Sequence, residues 1–222
     1  MNARDAVLAS VRRSLGVTGA EAPRRFEVER RIAEAPPGVV PQRGQGDANT
    51  RVATFKAEAE RAQATVAEVG TLADAPAEVA RFLRASNAPA TLRMGADPRL
   101  AAMPWGGTAL DIATGASDGH DVNAVSMALA GIAETGTVAL VSGADNPTTL
   151  NFLPDNHIVV VEREHVVADY EAAFGRVRAG YGKGGAPRTV NLVTGPSRSA
   201  DIEQTLLLGA HGPRRLHIVI AG

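Results

Sequence analysis

Apolar residues recur at spacings of three and four along several stretches of the chain, the period of an amphipathic helix. We predict helices over residues 5–15, 50–69, 75–86, 164–178 and 199–208. Gly16 and Gly70 follow the first two, where glycine commonly caps a helix C-terminus. Residues 16–49 hold several Pro and Gly without periodicity and are expected to form a linker or an arm.

Short apolar runs between these helices predict strands. They are expected at 91–94, 109–113, 123–127, 136–141, 157–161, 190–193 and 216–220. The runs at 136–141 and 157–161 are typical of strands buried on both faces in a parallel sheet. Strands that alternate with helices indicate a three-layer, Rossmann-like α/β domain with a mostly parallel sheet. We expect this domain over 50–222, preceded by an N-terminal helix and linker arm over 1–49.

Composition narrows the possible chemistry. None of the 222 residues is cysteine, so this chain has no thiolate zinc site, cysteine-ligated iron–sulfur cluster or cysteine nucleophile. The formal net charge of −1 does not suggest a general nucleic-acid or membrane binder. No apolar run approaches the roughly 18 residues of a membrane span. We therefore expect a cytoplasmic protein with no metal and no cofactor of its own.

The first candidate site is the segment 194–203, between a predicted strand and a predicted helix. Such a junction at the carboxyl edge of a parallel sheet presents backbone N–H groups and a helix dipole to an anion, and Arg198 adds a bidentate donor. The segment is equally suited to a capped helix without ligand, with Asp201 and Glu203 neutralising the dipole. The candidate ligand-binding residues are Thr194, Gly195, Ser197, Arg198, Asp201 and Glu203.

The second candidate is Glu134, which is followed by Thr135 and Gly136 at the entrance to a predicted strand. A carboxylate there can act as a general base, a nucleophile or a hydrogen-bond anchor, and the glycine turn lets a ligand approach the backbone. Alternatively, Glu134 caps a turn or pairs with an arginine of the last segment. We take Glu134 as the candidate catalytic residue and its two neighbours as candidate ligand contacts.

Two polar loops complete the set. One places Asn151, Asp155 and His157 just before a predicted strand, where they suit either a shaped turn or a ligand site. The other places His211 and Arg214 on a Gly/Pro turn, where they suit a structural contact or an anion site. No second histidine stands at metal-ligand spacing from His157, so a metal site is not indicated.

Three of these segments resemble the lactate utilisation protein C family, the LUD-domain proteins. They are Ile132 to Thr137, Asn151 to His157, and the long stretch from Thr194 to Arg214. The resemblance covers roughly residues 50–222. It implies the fold shared by ribose-5-phosphate isomerase, glucosamine-6-phosphate deaminase, CoA transferases and 5-formyltetrahydrofolate cyclo-ligase, with ligands at the carboxyl edge of the sheet.

The resemblance also implies a role for the chain. It would be an accessory subunit in the oxidation of L-lactate to pyruvate, acting with iron–sulfur partner proteins and binding a small carboxylate or phosphate, or a partner surface. Membership does not decide whether the chain is itself an enzyme. The alternative is a stand-alone enzyme that binds a phosphorylated, CoA-linked or folate-type ligand.

Overall fold

The computed structural model describes residues 2–182, 184–199, 207–209 and 211–222. The chain forms two compact units, Met1–Val40 and Pro41–Gly222. Within the described ranges, no helix is long and apolar enough to cross a membrane.

The smaller unit consists of two helices, α1 (Ala3–Leu15) and α2 (Ala22–Glu34), and neither helix buries a side chain. The helix predicted over 5–15 is confirmed, with Gly16 as its left-handed C-cap. Within residues 16–49, expected to be a linker or an arm, the structure has the helix α2, which was not predicted. This helix has little apolar periodicity and carries ion pairs one turn apart, such as Arg30 with Glu27 and Glu34, so it gives a weak amphipathic signal.

The larger unit contains four α-helices among the described residues: α3 (Ala48–Arg61), α4 (Ala75–Ala85), α5 (Pro98–Ala101) and α6 (Tyr170–Tyr181). Its strands are β1 (Thr65–Val69), β2 (Thr91–Met94), β3 (Asp111–Thr114), β4 (Asn123–Met127), β5 (Ala130–Ile132), β6 (Thr137–Val141), β7 (Asn156–Glu162), β8 (Val166–Val167), β9 (Val190–Val193), β10 (Arg198–Ser199), β11 (Leu207–Leu208) and β12 (Arg215–Ala221). Single 3-10 turns lie at Gln42–Gly44, Leu72–Asp74, Trp105–Gly107, Thr148–Asn151 and Arg163–His165.

Six strands form a parallel sheet in the order β1-β12-β7-β4-β2-β3. The central strands β7 and β12 are almost wholly buried, which agrees with their continuous apolar sequence. The predicted α/β class with a mostly parallel sheet is therefore confirmed.

A second sheet has the order β8-β5-β6-β9, in which β6 runs antiparallel to both β5 and β9. The runs at 136–141 and 190–193 are strands, as predicted, but assigning 136–141 to a parallel sheet is wrong. A short buried apolar run has the same appearance in either kind of sheet, so the sequence pattern does not reveal strand direction.

The six-stranded sheet has a hydrophobic core on each face. On one face, Ile158 and Val160 of β7 pack with Val79 and Leu83 of α4. On the other face, the alternate β7 residues pack with α3 and with β6 of the second sheet. Because successive side chains of a strand point to opposite faces, one short strand contributes to both cores. The result is three layers, with the second sheet on the α3 side.

Three predicted helices differ from the structure. The helix predicted over 50–69 ends at Arg61, and the rest of its apolar pattern belongs to β1. The helix predicted over 164–178 is shorter at its start, because β8 precedes α6. The helix predicted over 199–208 is wrong at both described ends, where β10 and β11 pair antiparallel, and its middle lies outside the described residues.

Candidate functional site

A cavity of about 360 Å³ lies where three loop segments meet two strands of the parallel sheet. Three segments outside the parallel sheet contribute Asn151 and Phe152, Leu192 to Arg198 (from the end of β9 to the start of β10), and His211 to Pro213, and the parallel sheet contributes His157 and Leu216. We call this space the main cavity. Seven of the predicted site residues line it: Asn151, His157, Thr194, Gly195, Ser197, Arg198 and His211.

The main cavity lies at the amino ends of β7 and β12. His157 and Leu216 are each the second residue of their strand, and they are paired in the sheet register. The expectation that Thr194 to Arg198 lie at the carboxyl edge of the parallel sheet is therefore wrong. The segment follows β9, which belongs to the second sheet, and this connection brings it to the opposite edge.

A buried polar chain forms the floor of the main cavity. The Oγ hydroxyl of Ser126 donates to Oδ1 of Asn151 at 3.3 Å, and Nε2 of His157 lies 3.1 Å from the same hydroxyl. The side-chain nitrogen Nδ2 of Asn151 and the ring nitrogen Nδ1 of His157 have no hydrogen-bond partner among the described residues. Ser126 was not predicted, because a serine inside an apolar strand gives no signal of its own.

Burial determines the protonation state of His157. The side chain is fully buried, and the loss of hydration lowers its pKa from 6.5 to about 3. The ring is therefore neutral at physiological pH. The Ser126 hydroxyl uses its single hydrogen in the bond to Asn151, so it acts as the acceptor towards Nε2 of His157. Nε2 therefore carries the imidazole hydrogen, and Nδ1 is left as a hydrogen-bond acceptor.

The segment from Thr194 to Arg198 is held against the end of α3. Gly195 has a φ of +71°, and a side chain there would overlap the carbonyl oxygen of Ala62, the C-cap of α3. The same carbonyl accepts a hydrogen bond of 3.0 Å from Nη2 of Arg198. Arg198 thus stabilises a helix C-terminus, where positive charge is favourable, as well as lining the main cavity.

Ser197 joins two walls of the main cavity through its backbone. Its N–H donates to the carbonyl of Pro213 at 2.8 Å, and its carbonyl accepts from the N–H of Gly209 at 3.0 Å. These bonds place His211, which is exposed, beside the Thr194 segment.

Four hydroxyl groups link the second predicted site to this segment. The hydroxyl of Thr137, which is fully buried, lies 2.7 Å from that of Thr135, 3.1 Å from that of Tyr170 and 2.6 Å from that of Thr194. Thr137 and Tyr170 were not predicted. A second cavity of about 300 Å³ lies nearby, lined by Glu58, Arg61, Ala62, Thr135, Thr194 and Arg198.

Glu134 is buried outside the linings of these two cavities. Its Oε1 accepts a hydrogen bond of 3.2 Å from the backbone N–H of Tyr170, the first residue of α6. A carboxylate in this position stabilises a helix N-terminus. The turn at Gly136 has a φ of +64° and fits closely against the backbone of α3 near Ala59, so a helix occupies the space that we expected for a ligand.

The remaining predicted residues lie elsewhere. Asp155 and Arg214 form an ion pair of 3.4 Å in which both side chains are more than half exposed, so it contributes little to stability. Neither lines the main cavity. Asp201 and Glu203 lie outside the described residues.

Comparisons with known proteins find relatives of this part of the chain. Residues 121–221 match the LUD domain family, and this range contains every residue that lines the main cavity. The lactate utilization protein C of Geobacillus thermodenitrificans is 38% identical over 90 residues, which is 40% of this chain and 38% of that protein. The protein of the same name from Bacillus subtilis is 39% identical over 83 residues, 37% of this chain and 35% of that protein.

A solved structure shows the same fold. The crystal structure of a DUF162 family protein from Deinococcus radiodurans superposes with a TM-score of 0.59 at 23% identity, covering 80% of this chain and 100% of that chain. The larger unit therefore has the fold of that protein, and residues 121–221 within it match the LUD domain. Over 83 to 90 residues the chain is also similar to the two curated proteins named lactate utilization protein C. It spans less than two-fifths of the length of the curated relatives named above.

Proposed function

We propose that this chain takes part in lactate utilisation in the cytoplasm, as a LUD-domain subunit that acts with iron–sulfur partner proteins in the oxidation of L-lactate to pyruvate. One observation carries the proposal: the region that matches the LUD domain contains the whole lining of the main cavity, and the chain is similar to proteins named lactate utilization protein C. We propose that a small carboxylate binds in the main cavity.

Because this chain has no cysteine, we assign the redox chemistry of the proposed complex to its partner proteins. With no cysteine among its 222 residues, this chain offers no thiolate ligand for an iron–sulfur cluster. In the proposed complex, electrons therefore pass through the partner proteins. This chain would contribute hydrogen-bonding groups and positive charge, which bind and orient a small anion but do not accept electrons.

The main cavity has the properties of a small-molecule site. Its volume of about 360 Å³ lies at the small end of the range for ligand pockets, and apolar side chains surround a few polar groups. Arg198 lies at its exposed side and supplies positive charge that attracts a carboxylate. The fully buried His157 supplies a neutral acceptor at the floor.

The proposal is tested by reconstitution. The chain is combined with candidate iron–sulfur partner proteins, and electron transfer from L-lactate to an artificial acceptor is measured with and without this chain. We expect electron transfer to require the chain. A deletion strain should lose growth on L-lactate but keep growth on glucose. Lactate-dependent electron transfer that is unchanged without the chain would contradict the proposal.

A second function is supported by the smaller cavity. Arg198 and the hydroxyl-bearing Thr135 and Thr194 line it and suit a phosphate group, and Arg61, which pairs with Glu58 of the same lining, adds a second guanidinium. The chain would then be a stand-alone enzyme on a phosphorylated, CoA-linked or folate-type ligand. Thermal shift with sugar phosphates, CoA esters, nucleotides and folates tests this function. Stabilisation by one of them that is lost in Arg61→Gln would favour it over the lactate role.

A further inference from the structure

We infer that the floor of the main cavity is a binding site for small 2-hydroxy acids, with the hydroxyl of the ligand on His157 and its carboxylate on Asn151. This inference deepens the proposed function and rests on it for the choice of ligands to test. It names the class of carboxylate that the cavity selects and the two side chains that select it.

First, two buried polar atoms in the lining of the main cavity lack a hydrogen-bond partner in the described part of the chain. The side chains of Asn151 and His157 are at most 1% exposed and line the same cavity, and each leaves one nitrogen unpartnered among the described residues. Leaving a buried donor or acceptor unsatisfied costs roughly 1–3 kcal/mol. Two such atoms on one cavity wall are therefore explained most simply by a ligand that pairs with both.

Two neighbouring buried amides, by contrast, are fully paired. Asn123 and Asn156 lie side by side on the other face of the same sheet. Nδ2 of Asn156 donates to Oδ1 of Asn123 at 2.7 Å, and Nδ2 of Asn123 donates to two backbone carbonyls. Oδ1 of Asn156 accepts from Arg215 at 3.1 Å. Other buried side-chain atoms without a partner among the described residues do occur, but they belong to residues outside the lining of the main cavity: Asp121, Asn146, His165 and Asn191. What distinguishes the main cavity is that two such atoms belong to residues of one lining.

The second step is the polarity of the two free atoms. Nδ2 of Asn151 is a donor, and the neutral His157 ring offers Nδ1 as an acceptor. If the amide is reversed and the other imidazole tautomer forms, the two roles exchange, but one donor and one acceptor still remain. The complementary ligand must itself carry one acceptor and one donor close together. A 2-hydroxy acid carries a carboxylate beside a hydroxyl and meets this requirement.

The third step is the rest of the lining. Phe152, Val193, Pro196, Pro213 and Leu216 give the cavity apolar walls that suit a short aliphatic group. A 2-oxo acid of the same size fits the walls, but its carbonyl has no proton to donate. A simple carboxylic acid lacks the hydroxyl altogether. The site should therefore prefer the hydroxy acid over both.

The experiment measures binding of L-lactate, D-lactate, glycolate, pyruvate and propionate to the full chain by calorimetry at constant ionic strength. We expect the 2-hydroxy acids to bind at least about tenfold more tightly than pyruvate and propionate, since one hydrogen bond to a buried group is worth roughly that factor. The variants His157→Phe and Asn151→Leu should each lose this preference. His165→Phe is the matched control, because His165 lies outside the cavity lining.

A second measurement needs no variant and so covers the case in which a substitution prevents folding. The ¹⁵N shift of Nδ1 in His157 is recorded by NMR while L-lactate or pyruvate is added to the wild-type chain. Lactate alone should move this signal. Equal binding of propionate and lactate, an unmoved signal, or unchanged binding by the folded His157→Phe variant would overturn the inference.

The same data separate this inference from the proposed function. If the chain is required for electron transfer from lactate but binds no 2-hydroxy acid, the inference fails and the role in lactate utilisation stands. If it binds 2-hydroxy acids but lactate-dependent electron transfer proceeds without it, the site stands and the proposed role fails.

Discussion

Two buried histidines on neighbouring strands of one sheet have opposite hydrogen-bonding states. His157 of β7 and His217 of β12 lie near the amino ends of their strands, and each is at most 1% exposed. They point to opposite faces, because Leu216 rather than His217 is the register partner of His157. His157 faces the main cavity, and His217 faces α4.

The ring of His217 is fully engaged. Its Nδ1 lies 2.8 Å from the hydroxyl of Thr65, its Nε2 lies 3.1 Å from Oε1 of Glu78, and its ring stacks on Phe82 with centroids 4.2 Å apart. Burial lowers its pKa, as in His157, but the Glu78 carboxylate acts in the opposite direction. His157 has one polar partner, Ser126, and no such carboxylate, so burial alone lowers its pKa.

The difference shows which property identifies a binding site. Burial and a lowered pKa are shared by the two rings and do not separate them. The unpartnered nitrogen beside a cavity does separate them. We therefore interpret His217 as part of the structural core and His157 as part of a site. The predictions below test this distinction, beginning with the largest effect.

The largest effect is expected from Gly195→Ala, which disturbs the wall on the His157 side. The new methyl group would overlap the Ala62 carbonyl, and the residue would keep a left-handed φ that alanine disfavours. We expect the free energy of unfolding to fall by about 3 kcal/mol or more, as measured in urea. The NMR shifts of the His217 ring should stay unchanged in the folded variant, because Gly195 adjoins the other side of the sheet.

Gly182→Ala is the matched control. Gly182 also has a left-handed φ, of +76°, but a side chain there would meet no described atom within 4 Å. Because its ψ is 172°, a region that only glycine adopts readily, we expect this variant to lose about 1–3 kcal/mol, the cost of the backbone conformation alone. Equal losses in the two variants would show that the fit of the cavity wall against α3 does not matter.

The second effect comes from replacing each histidine by leucine. His217→Leu removes the hydrogen bonds of the ring to the exposed Thr65 and the partly buried Glu78 and removes the ring stack, while Glu78 keeps its ion pair with Arg81, so the free energy of unfolding should fall by about 1–2 kcal/mol. His157→Leu removes one hydrogen bond but also removes an unpartnered nitrogen, so it should lose about 1 kcal/mol or less. Urea unfolding at pH 7.5 compares them. A larger loss for His157→Leu would reverse our interpretation.

Much of the fold was predictable because its main strands carry strong local signals. The apolar runs of β4, β7 and β12 predict buried strands whichever neighbouring strands they pair with. The strand β1 was missed because its valines continue the helical spacing of α3. Membership of the second sheet was missed because strand direction depends on chain connections, which periodicity does not record.

The candidate site was predictable only in part, for a related reason. Asn151, His157 and the segment Thr194 to Arg198 were found because polar residues beside strands and glycine turns stand out locally. Ser126, which connects Asn151 to His157, is one hydroxyl in an apolar strand. The unpartnered nitrogens are a property of the packed structure. Glu134 stood out equally in the sequence, yet it holds the start of α6.

A further effect is a pH dependence that separates His157 from its leucine variant. Since the pKa of His157 is lowered to about 3 in the folded state, the unfolded chain binds the additional proton as the pH falls below 6.5. The neutral ring thus contributes stability that is complete above pH 6.5 and is lost as the pH falls towards 3. The loss proceeds at up to about 1.4 kcal/mol per pH unit.

His157→Leu lacks this proton linkage, while the other titrating groups are common to both proteins. The wild-type chain should be slightly more stable at pH 7.5 and less stable at pH 4.5, so the two free energies of unfolding should cross. Urea midpoints at half-unit intervals of pH locate the crossing. His217→Leu should show a weaker convergence with the wild type, because Glu78 opposes the lowered pKa of His217. Parallel curves for wild type and His157→Leu would mean that His157 is not held neutral by burial.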